Sequence, residues 1–315
     1  MPVHISTDRT TWDDLRYFLE LVRQKRLTGV GRRLGVDHTT VARRIDQLER
    51  SLGCRLFERT PAGYVLTEAG RHLVPHAEAV ENSVALLREQ ATGQGQRVSG
   101  TVRIGTPEGL GAVVLAPRLG RLLKEHPDLD VELLSLPRLP SLATREADLI
   151  VTLDPPQHGR YIASRLTNFN YGLFASRDYL RRHGPIRSRG DLAAHGFVGY
   201  IDELLLSPQL RYLDELVPEP RLRLASAGML AQVAAVRAGV GPGVLALYLA
   251  VGQGLVRVLP AEAVWKRTFW LATHADWYRL RRVRAVWDFL RGLAEAEQHL
   301  FLGEPARRAG RRALE

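Results

Sequence analysis

The chain has 315 residues, of which 45% are hydrophobic and 25% charged, which is typical of a soluble globular protein with two or three domains. Its formal net charge of +10 favours a polyanionic partner, and its single cysteine, Cys54, excludes an intrachain disulfide and fits a cytoplasmic location. No apolar signal-peptide core is present, and glycines and a proline break the long uncharged run that begins at Ala238, so no membrane association is expected.

The first predicted helix runs from about Trp12 to Lys25. Leu15, Leu19 and Val22 continue the apolar stripe that Trp12 begins, at the spacing of one helix face. Two acidic residues directly after Trp12 favour the N-terminal end of a helix. We expect this helix to pack beneath the elements that follow it.

Two short helical patterns follow, separated by Gly35, and Asp37 stands where the second needs an N-cap. One face of the second helix is apolar and consists of Val41, Ile45, Leu48 and Leu52. A short helix of this kind fits the DNA major groove, with its N-terminal residues at the base edges. The candidate DNA contacts in it are His38, Thr39, Thr40, Arg43, Arg44 and Gln47. The alternative is a helical hairpin with a solvated basic face.

A turn with the sequence TPAG then separates two short segments that would form a wing. Arg55 and Arg59 precede this turn and are candidate contacts to DNA phosphates, which position a protein without specifying sequence. The alternative for both is a solvated arginine.

A long helical pattern extends from Thr67 to about Thr92. Its apolar residues alternate spacings of four and three, a heptad seam narrow enough for a coiled coil. The seam contains Leu73, Ala77, Val80, Val84, Leu87 and Ala91. A coiled-coil dimer formed by this seam would have Leu73, Val80, Val84 and Leu87 at its interface. The alternative is an amphipathic helix packed on its own domain.

From Thr101 onward, short strands and helices alternate, which predicts an α/β fold. The segments TVRIGT, DVELLSL and ADLIVTL are predicted strands, and a second unit begins near Asn168. That unit contains a helix predicted from Ser226 to Ala238, and a helix from about Trp277 to Leu293 follows later in the chain.

From Trp12 to Gly70 the chain resembles the N-terminal domain of LysR-type transcriptional regulators. The resemblance rests on the segment RRLGVDHTTVARRIDQLERSLGCRLFERT, which is followed by LTEAG. His38 and Ala42 depart from the family's usual glutamine and serine, and Gly29 and Gly31 replace typical alanines. The second half resembles the family more loosely. There the resemblance implies two lobes of periplasmic-binding-protein type, joined by strands that cross near residues 166–171 and 264–269.

The resulting fold class is an N-terminal all-α winged helix-turn-helix with a long linker helix, followed by a C-terminal α/β two-lobed effector domain. The expected segments are the DNA-binding domain at 10–67, the linker helix at 68–92, a hinge at 93–99, lobe 1 at 100–165 and 266–301, lobe 2 at 166–265, and a basic tail at 302–315. The family resemblance implies a homodimer or a dimer of dimers on double-stranded DNA.

Effector contacts are predicted where strand ends meet helix starts in the second half. The candidates are Thr106, Glu108, Tyr200, Asp202, Ser226 and Gly228. Helix N-termini attract a ligand carboxylate, whereas Glu108 and Asp154 limit its charge, so we expect a neutral, zwitterionic or singly charged ligand. The alternative for the hydroxyls of Thr106 and Ser226 is simple N-capping.

The chain contains no nucleophile elbow, phosphate-binding loop or zinc-protease motif, and we expect neither catalysis nor a cofactor. His72 and His76 have metal-ligand spacing but no third ligand nearby, so no metal site is predicted. The function we expect is DNA-binding transcriptional regulation controlled by a small molecule. The rival functions are a solute-binding protein and a cleft enzyme without a DNA role.

Overall fold

The computed structural model describes residues 10–61, 63–92, 97–136, 142 and 146–304. These residues belong to two compact units, Met1–Gly95 and Gln96–Glu315, each treated separately below. Most of the predicted hinge (93–96) and most of the predicted tail (305–315) lie outside the described residues. No described helix combines the length and the apolar character needed to cross a membrane.

The N-terminal unit consists of helices α1 (Trp12–Gln24), α2 (Leu27–Leu34) and α3 (His38–Leu52), strands β1 (Phe57–Thr60) and β2 (Gly63–Leu66), and helix α4 (Glu68–Thr92). Strands β1 and β2 pair antiparallel and form the predicted wing. Helix α1 begins with a capping box, in which Thr11 and Asp14 satisfy each other's backbone N–H groups. It ends one residue earlier than predicted because Lys25 adopts a left-handed conformation, with φ of 58°.

The core of this unit gathers the apolar faces of its helices and the base of the wing. Its buried residues include Phe18, Leu21, Val30, Val41, Ile45, Leu48, Leu56 and Phe57. Leu52, predicted on the same face as Val41, is instead 39% exposed and is the last residue of α3. Cys54 is half-buried and packs against the core.

Helices α2 and α3 approach each other closely at Gly31. A Cβ atom at this position would lie 2.6 Å from the carbonyl oxygen of Val36, closer than real contacts allow. A glycine therefore replaces the family's usual alanine where the chain turns back against the helix. Asp37 caps α3 as predicted, because its side chain accepts a hydrogen bond from the backbone N–H of Thr39.

The C-terminal unit contains strands β3 (Ser99–Pro107), β4 (Asp128–Leu136), β5 (Leu149–Thr152), β6 (Tyr161–Ser176), β7 (Phe197–Gly199), β8 (Leu222–Ala225), β9 (Gly243–Ala246), β10 (Leu255–Val258) and β11 (Val264–His274). Its helices are α5 (Ala116–Glu125), α6 (Arg177–His183), α7 (Tyr212–Leu216), α8 (Met229–Arg237), α9 (Leu247–Ala250), α10 (Arg281–Ala296) and α11 (Gln298–Leu302). The alternation of strands and helices confirms the predicted α/β class.

One continuous sheet runs through both lobes, with strand order β4-β3-β5-β11-β6-β9-β7-β8 and β10 paired with β6. The long strands β6 and β11 pair antiparallel from Val264 with Gly172 to His274 with Tyr161. They are the two crossing strands that the family resemblance implied. Lobe 1 contains β3, β4 and β5, whereas lobe 2 contains β7, β8, β9 and β10, so the interlobe cleft lies beside β6 and β11.

Two helix starts differ from the predictions. Thr106 and Pro107 belong to strand β3, and the helical turns begin only at Glu108, continuing through a π-helical segment, Leu110–Leu115. Helix α8 starts at Met229, three residues later than predicted, because the hydroxyl of Ser226 accepts a hydrogen bond from the backbone N–H of Gly228 and closes a turn before the helix.

Candidate functional site

Helix α3 exposes His38, Thr39 and Arg43, opposite its buried face. The Asp37 carboxylate accepts hydrogen bonds from the backbone N–H of Thr39 at 2.8 Å and from its hydroxyl at 2.6 Å. These bonds hold the pKa of Asp37 below its usual value. The first turn of α3 is therefore capped, and its residues His38 and Thr39 are exposed.

Thr40 and Gln47 flank this face and are half-buried. Arg44, another predicted DNA contact, is engaged with acidic and aromatic side chains of α1. Its guanidinium donates to Asp14 at 3.1 Å, lies 3.4 Å from Asp13 and stacks over the ring of Tyr17. Because Asp14 is fully buried and Tyr17 is in the core, Arg44 joins α3 to α1, a partner thirty positions away in the chain.

The wing arginines are exposed, and each contacts a neighbour in its own unit. Arg55 donates to Glu49 at 2.7 Å, and the Arg59 guanidinium lies 5.5 Å from the centre of the Tyr64 ring. Glu49 itself is buried and also accepts hydrogen bonds from the backbone N–H groups of Leu56 and Phe57, at 2.7 and 3.1 Å. One carboxylate thus connects the end of α3 to the start of β1.

The predicted dimer seam divides into two parts along α4. Leu73 packs against the core of the N-terminal unit, and Ala77 is fully buried there. Farther along, Val80 is 37% exposed, Val84 is half-buried and Leu87 is 65% exposed. An ion pair from Arg23 to Glu81 attaches the middle of α4 to α1. The apolar residues left exposed are those in the second half of the seam.

The interlobe cavity is small, about 20 Å³, which is room for a single water molecule. Both lobes contribute to its walls, which include Glu108, Leu153, Tyr171, Tyr200, Met229 and Tyr248. Thr106 does not line this cavity. It is fully buried, and its hydroxyl donates to the carbonyl oxygen of Pro107.

The N-terminus of α8 is occupied by a carboxylate from the opposite lobe. Glu108 Oε2 accepts a hydrogen bond from the backbone N–H of Leu230 at 3.3 Å. A Cβ atom at Gly228 would lie 2.5 Å from this oxygen, so a glycine is needed for the approach. Glu108, Ser226 and Gly228, three of the predicted effector residues, therefore lie close together at the start of α8, where Ser226 bonds to Gly228 and Glu108 bonds to Leu230.

A cluster of buried tyrosines forms the rest of the cleft. Burial raises the pKa of Tyr171 to about 12 and raises the pKa values of Tyr200 and Tyr248 well above their usual value. These hydroxyls stay protonated and can donate hydrogen bonds at any physiological pH. Of the three, sequence analysis selected only Tyr200; the position of Tyr171 on a crossing strand was the signal that could have identified it.

Asp202 lies apart from the interlobe cavity. It lines a larger cavity of about 360 Å³ inside lobe 2, where its carboxylate is 3.7 Å from Arg211. Asp154 is also engaged, since it accepts a hydrogen bond from the side chain of Gln209 at 2.6 Å. Among the described residues, no cluster of three His, Cys, Asp or Glu side chains could hold a metal ion.

Two family models match the chain in the same order as its two units. The bacterial regulatory helix-turn-helix model of the lysR family matches residues 12–71, and the LysR substrate binding domain model matches residues 95–295. The chain belongs to the LysR-type transcriptional regulator family. The winged helix-turn-helix and the two-lobed α/β unit are the two parts of a LysR-type chain.

Relatives of the chain include other regulators of this type. It is 30% identical over 175 residues to an HTH-type transcriptional regulator of Xanthomonas campestris, covering 55% of this chain and 50% of that relative. It is 29% identical over 170 residues to the HTH-type transcriptional activator TtdR of Escherichia coli, covering 54% of this chain and 55% of that relative. The chain thus spans about half the length of these LysR-type relatives.

Solved structures share the fold of this LysR-type chain. A full-length OxyR variant from Pseudomonas aeruginosa superposes with a TM-score of 0.68 at 20% identity, over 90% of this chain and 95% of that one. The Vibrio cholerae virulence activator AphB superposes with a TM-score of 0.53 at 24% identity, over 90% of this chain and 99% of that one. At these identities the likeness establishes the fold.

Proposed function

We propose that this chain is a sequence-specific DNA-binding transcriptional regulator whose DNA binding is modulated by a small molecule held between the two α/β lobes. The observation that carries the proposal is helix α3. Its buried face belongs to the core, its N-terminus is capped by Asp37, and His38, Thr39 and Arg43 project outward from its first two turns. This is the presentation that reading base edges in a major groove requires.

The proposed DNA contacts fall into two groups. His38, Thr39, Thr40, Arg43 and Gln47 face base edges from α3, and Arg55 and Arg59 contact phosphates from the wing. Arg44 is assigned a different role, because its guanidinium already binds Asp13 and Asp14. It holds α3 against α1 and so positions the helix.

The proposed effector site is the interlobe cavity. Its proposed contacts, near the N-terminus of α8, are Glu108, Tyr200, Ser226 and Gly228. A cavity of about 20 Å³ does not hold a metabolite, so binding requires the lobes to separate. The ligand shifts the protein toward that opened arrangement only through its higher affinity for it.

The proposed assembly is a homodimer, or a dimer of dimers, formed by the exposed half of the seam on α4. Val80, Val84 and Leu87 supply apolar surface there. We also propose the domain limits given above, with 10–67 binding DNA, 68–92 dimerising and the two lobes binding the effector. We propose further that the protein works in the cytoplasm and catalyses no reaction.

The test is selection of binding sites from fragmented DNA of the source genome by the purified chain, followed by fluorescence anisotropy on the enriched sequence. We expect an enriched palindromic element, with affinity that falls steeply as salt rises. Arg43→Ala should lose affinity, whereas Arg177→Ala, an exposed arginine of α6 in the other unit, is the matched control for charge. Enrichment of no sequence, or equal loss in both variants, would overturn the DNA role.

A further inference from the structure

Helix α4 leaves the core of the N-terminal unit partway along its length. Among the described residues, no apolar side chain of α4 beyond Ala77 belongs to that core. Val80 is 37% exposed and Leu87 is 65% exposed, so the helix presents apolar surface to water from this point onward. The contacts that hold α4 close to Ala77 therefore set the angle at which the helix leaves the core.

One turn after Ala77, a carboxylate of α4 binds an arginine of α1. The guanidinium of Arg23 donates two hydrogen bonds to Glu81, at 3.1 Å to Oε1 and at 2.7 Å to Oε2. Two parallel bonds between planar groups fix direction as well as distance. Arg23 lies in the last turn of α1, where the helix dipole also favours a cation.

This ion pair belongs to a chain of alternating charges across three helices. Arg23 also donates to Glu20 at 3.3 Å, and the Glu20 carboxylate lies 3.1 Å from the guanidinium of Arg33 in α2. The side chain of Glu20 is only 8% exposed, so water screens its charge weakly. Burial lowers the pKa of Arg23, but the neighbouring carboxylates, Glu81 foremost, raise this pKa more, so it lies above its usual value. Arg23 is thus held between opposite charges on α1 and α4.

The part of α4 beyond Glu81 is long enough to convert a small tilt into a large displacement. From Glu81 to Thr92 it measures about 17 Å, at about 1.5 Å per residue. A tilt of about 10° over this length displaces one end by about 3 Å, close to the spacing of one base pair in DNA, about 3.4 Å. A small change of angle at Glu81 therefore shifts a DNA-binding unit by about one base pair relative to a partner held at the far end of the helix.

We propose that Arg23 and Glu81 are positioning residues, which set the angle of α4 and thereby the spacing of the two operator half-sites that a dimer accepts. This inference rests on the proposed DNA role and on the proposed seam of Val80, Val84 and Leu87. Two recognition helices in a dimer bind half-sites at a separation that the protein's geometry determines. The ion pair acts on that separation from outside both the DNA contacts and the seam.

The test varies the spacer in the operator that binding-site selection enriches. Affinity of the full chain is measured by fluorescence anisotropy for spacers that are lengthened or shortened one base pair at a time. The wild type should prefer one spacing. Glu81→Gln and Arg23→Gln should each reduce the penalty for a change of one base pair by roughly twofold to fivefold, the effect of losing one such ion pair. The double variant should do no more than either single variant, because both changes break the same contact.

Glu68→Gln is the matched control, since Glu68 is an exposed carboxylate in the first turn of the same helix. It should leave the spacing preference unchanged, and Glu81→Gln should still sediment as a dimer. An unchanged spacing preference in Glu81→Gln, an equal effect of Glu68→Gln, or a monomeric Glu81→Gln would overturn the inference while the DNA role stands. A wild type that binds no DNA sequence would instead overturn the proposed function, and this inference with it.

Discussion

Glu108 Oε2 lies 3.3 Å from the backbone nitrogen of Leu230 and accepts a hydrogen bond from it in the first turn of helix α8. The two residues are 122 positions apart in the chain and belong to opposite lobes. The N-terminus of a helix attracts negative charge, and here the protein supplies that charge itself. The contact therefore joins the lobes at the point where a ligand carboxylate would bind.

Replacing this carboxylate should favour acidic ligands. Glu108→Gln removes the charge that competes at the N-terminus of α8, an interaction of about 0.3–1 kcal/mol. We expect a singly charged carboxylic acid, found by thermal-shift screening, to bind the variant about twofold to fivefold more tightly by calorimetry. Glu295→Gln, an exposed position on α10, is the control for net charge. Weaker binding of the acid by Glu108→Gln than by the wild type would show that Glu108 assists the ligand instead.

The two hydroxyls near the cleft should behave differently. Thr106→Val removes a hydroxyl that is fully buried and bonded to Pro107, so it should leave ligand affinity unchanged in calorimetry. Ser226→Ala removes the acceptor for the backbone N–H of Gly228 and should lower the free energy of unfolding by about 0.5–2 kcal/mol. A loss of ligand affinity in Thr106→Val without a change in melting temperature would restore the contact predicted from sequence.

Arg43 should contribute directly to DNA affinity. If its guanidinium binds a base, Arg43→Ala costs about 1–3 kcal/mol and relaxes discrimination at one operator position. If it binds a phosphate, affinity falls for every sequence, and the slope of log affinity against log salt concentration becomes smaller by about one. Anisotropy titrations at several salt concentrations distinguish the two cases, and an unchanged affinity and salt slope would remove Arg43 from the interface.

The exposed half of the α4 seam should control assembly. Val84→Glu with Leu87→Glu places charge in an apolar contact, so the variant should sediment as a monomer and bind DNA more weakly. Ser83→Glu, on an exposed position of the same helix, controls for added charge. Sedimentation velocity provides the measurement, and a double variant that keeps the wild-type sedimentation coefficient and DNA affinity would refute the seam.

Glu49 should be important for the stability of the N-terminal unit. Glu49→Ala leaves the N–H groups of Leu56 and Phe57 without their acceptor, at a cost of about 2–4 kcal/mol. We expect faster hydrogen exchange at these two amides and a lower urea midpoint for this unit. Glu58→Ala, an exposed position on β1, should change neither. Unaltered exchange at Leu56 in the Glu49 variant would contradict the assignment.

Local patterns predicted the elements well and the long-range contacts poorly. Helix α1 was expected to end at Lys25 and ends at Gln24, because helical period and capping act within a few residues. Arg44 shows the limit, since its acidic partners lie on another helix about thirty residues earlier. Tyr200 and Asp202 were predicted as effector contacts and line the lobe-2 cavity, but the rest of its wall had no sequence signal, because it comes from segments that only the folded sheet brings together.

The family resemblance supplied what local patterns could not. Strands β6 and β11 pair at the positions it implied, although nothing in either segment alone indicates its partner. It did not supply the cleft's own chemistry. The contact between Glu108 and Leu230 depends on a glycine at position 228 and on the late start of α8, neither of which the resemblance specified.

The buried carboxylate of Glu49 fixes the distance between helix α3 and the wing. Glu49 lies in the last turns of α3 and accepts hydrogen bonds from the start of β1. Helix α3 and the wing therefore cannot move relative to each other without breaking these buried hydrogen bonds. In the proposed complex, α3 enters the groove and the wing arginines contact the DNA backbone. The distance between these two contacts is then fixed by the protein. An operator with a different groove width must bend to fit, so stiff and flexible base steps between the contacts are distinguished without being touched.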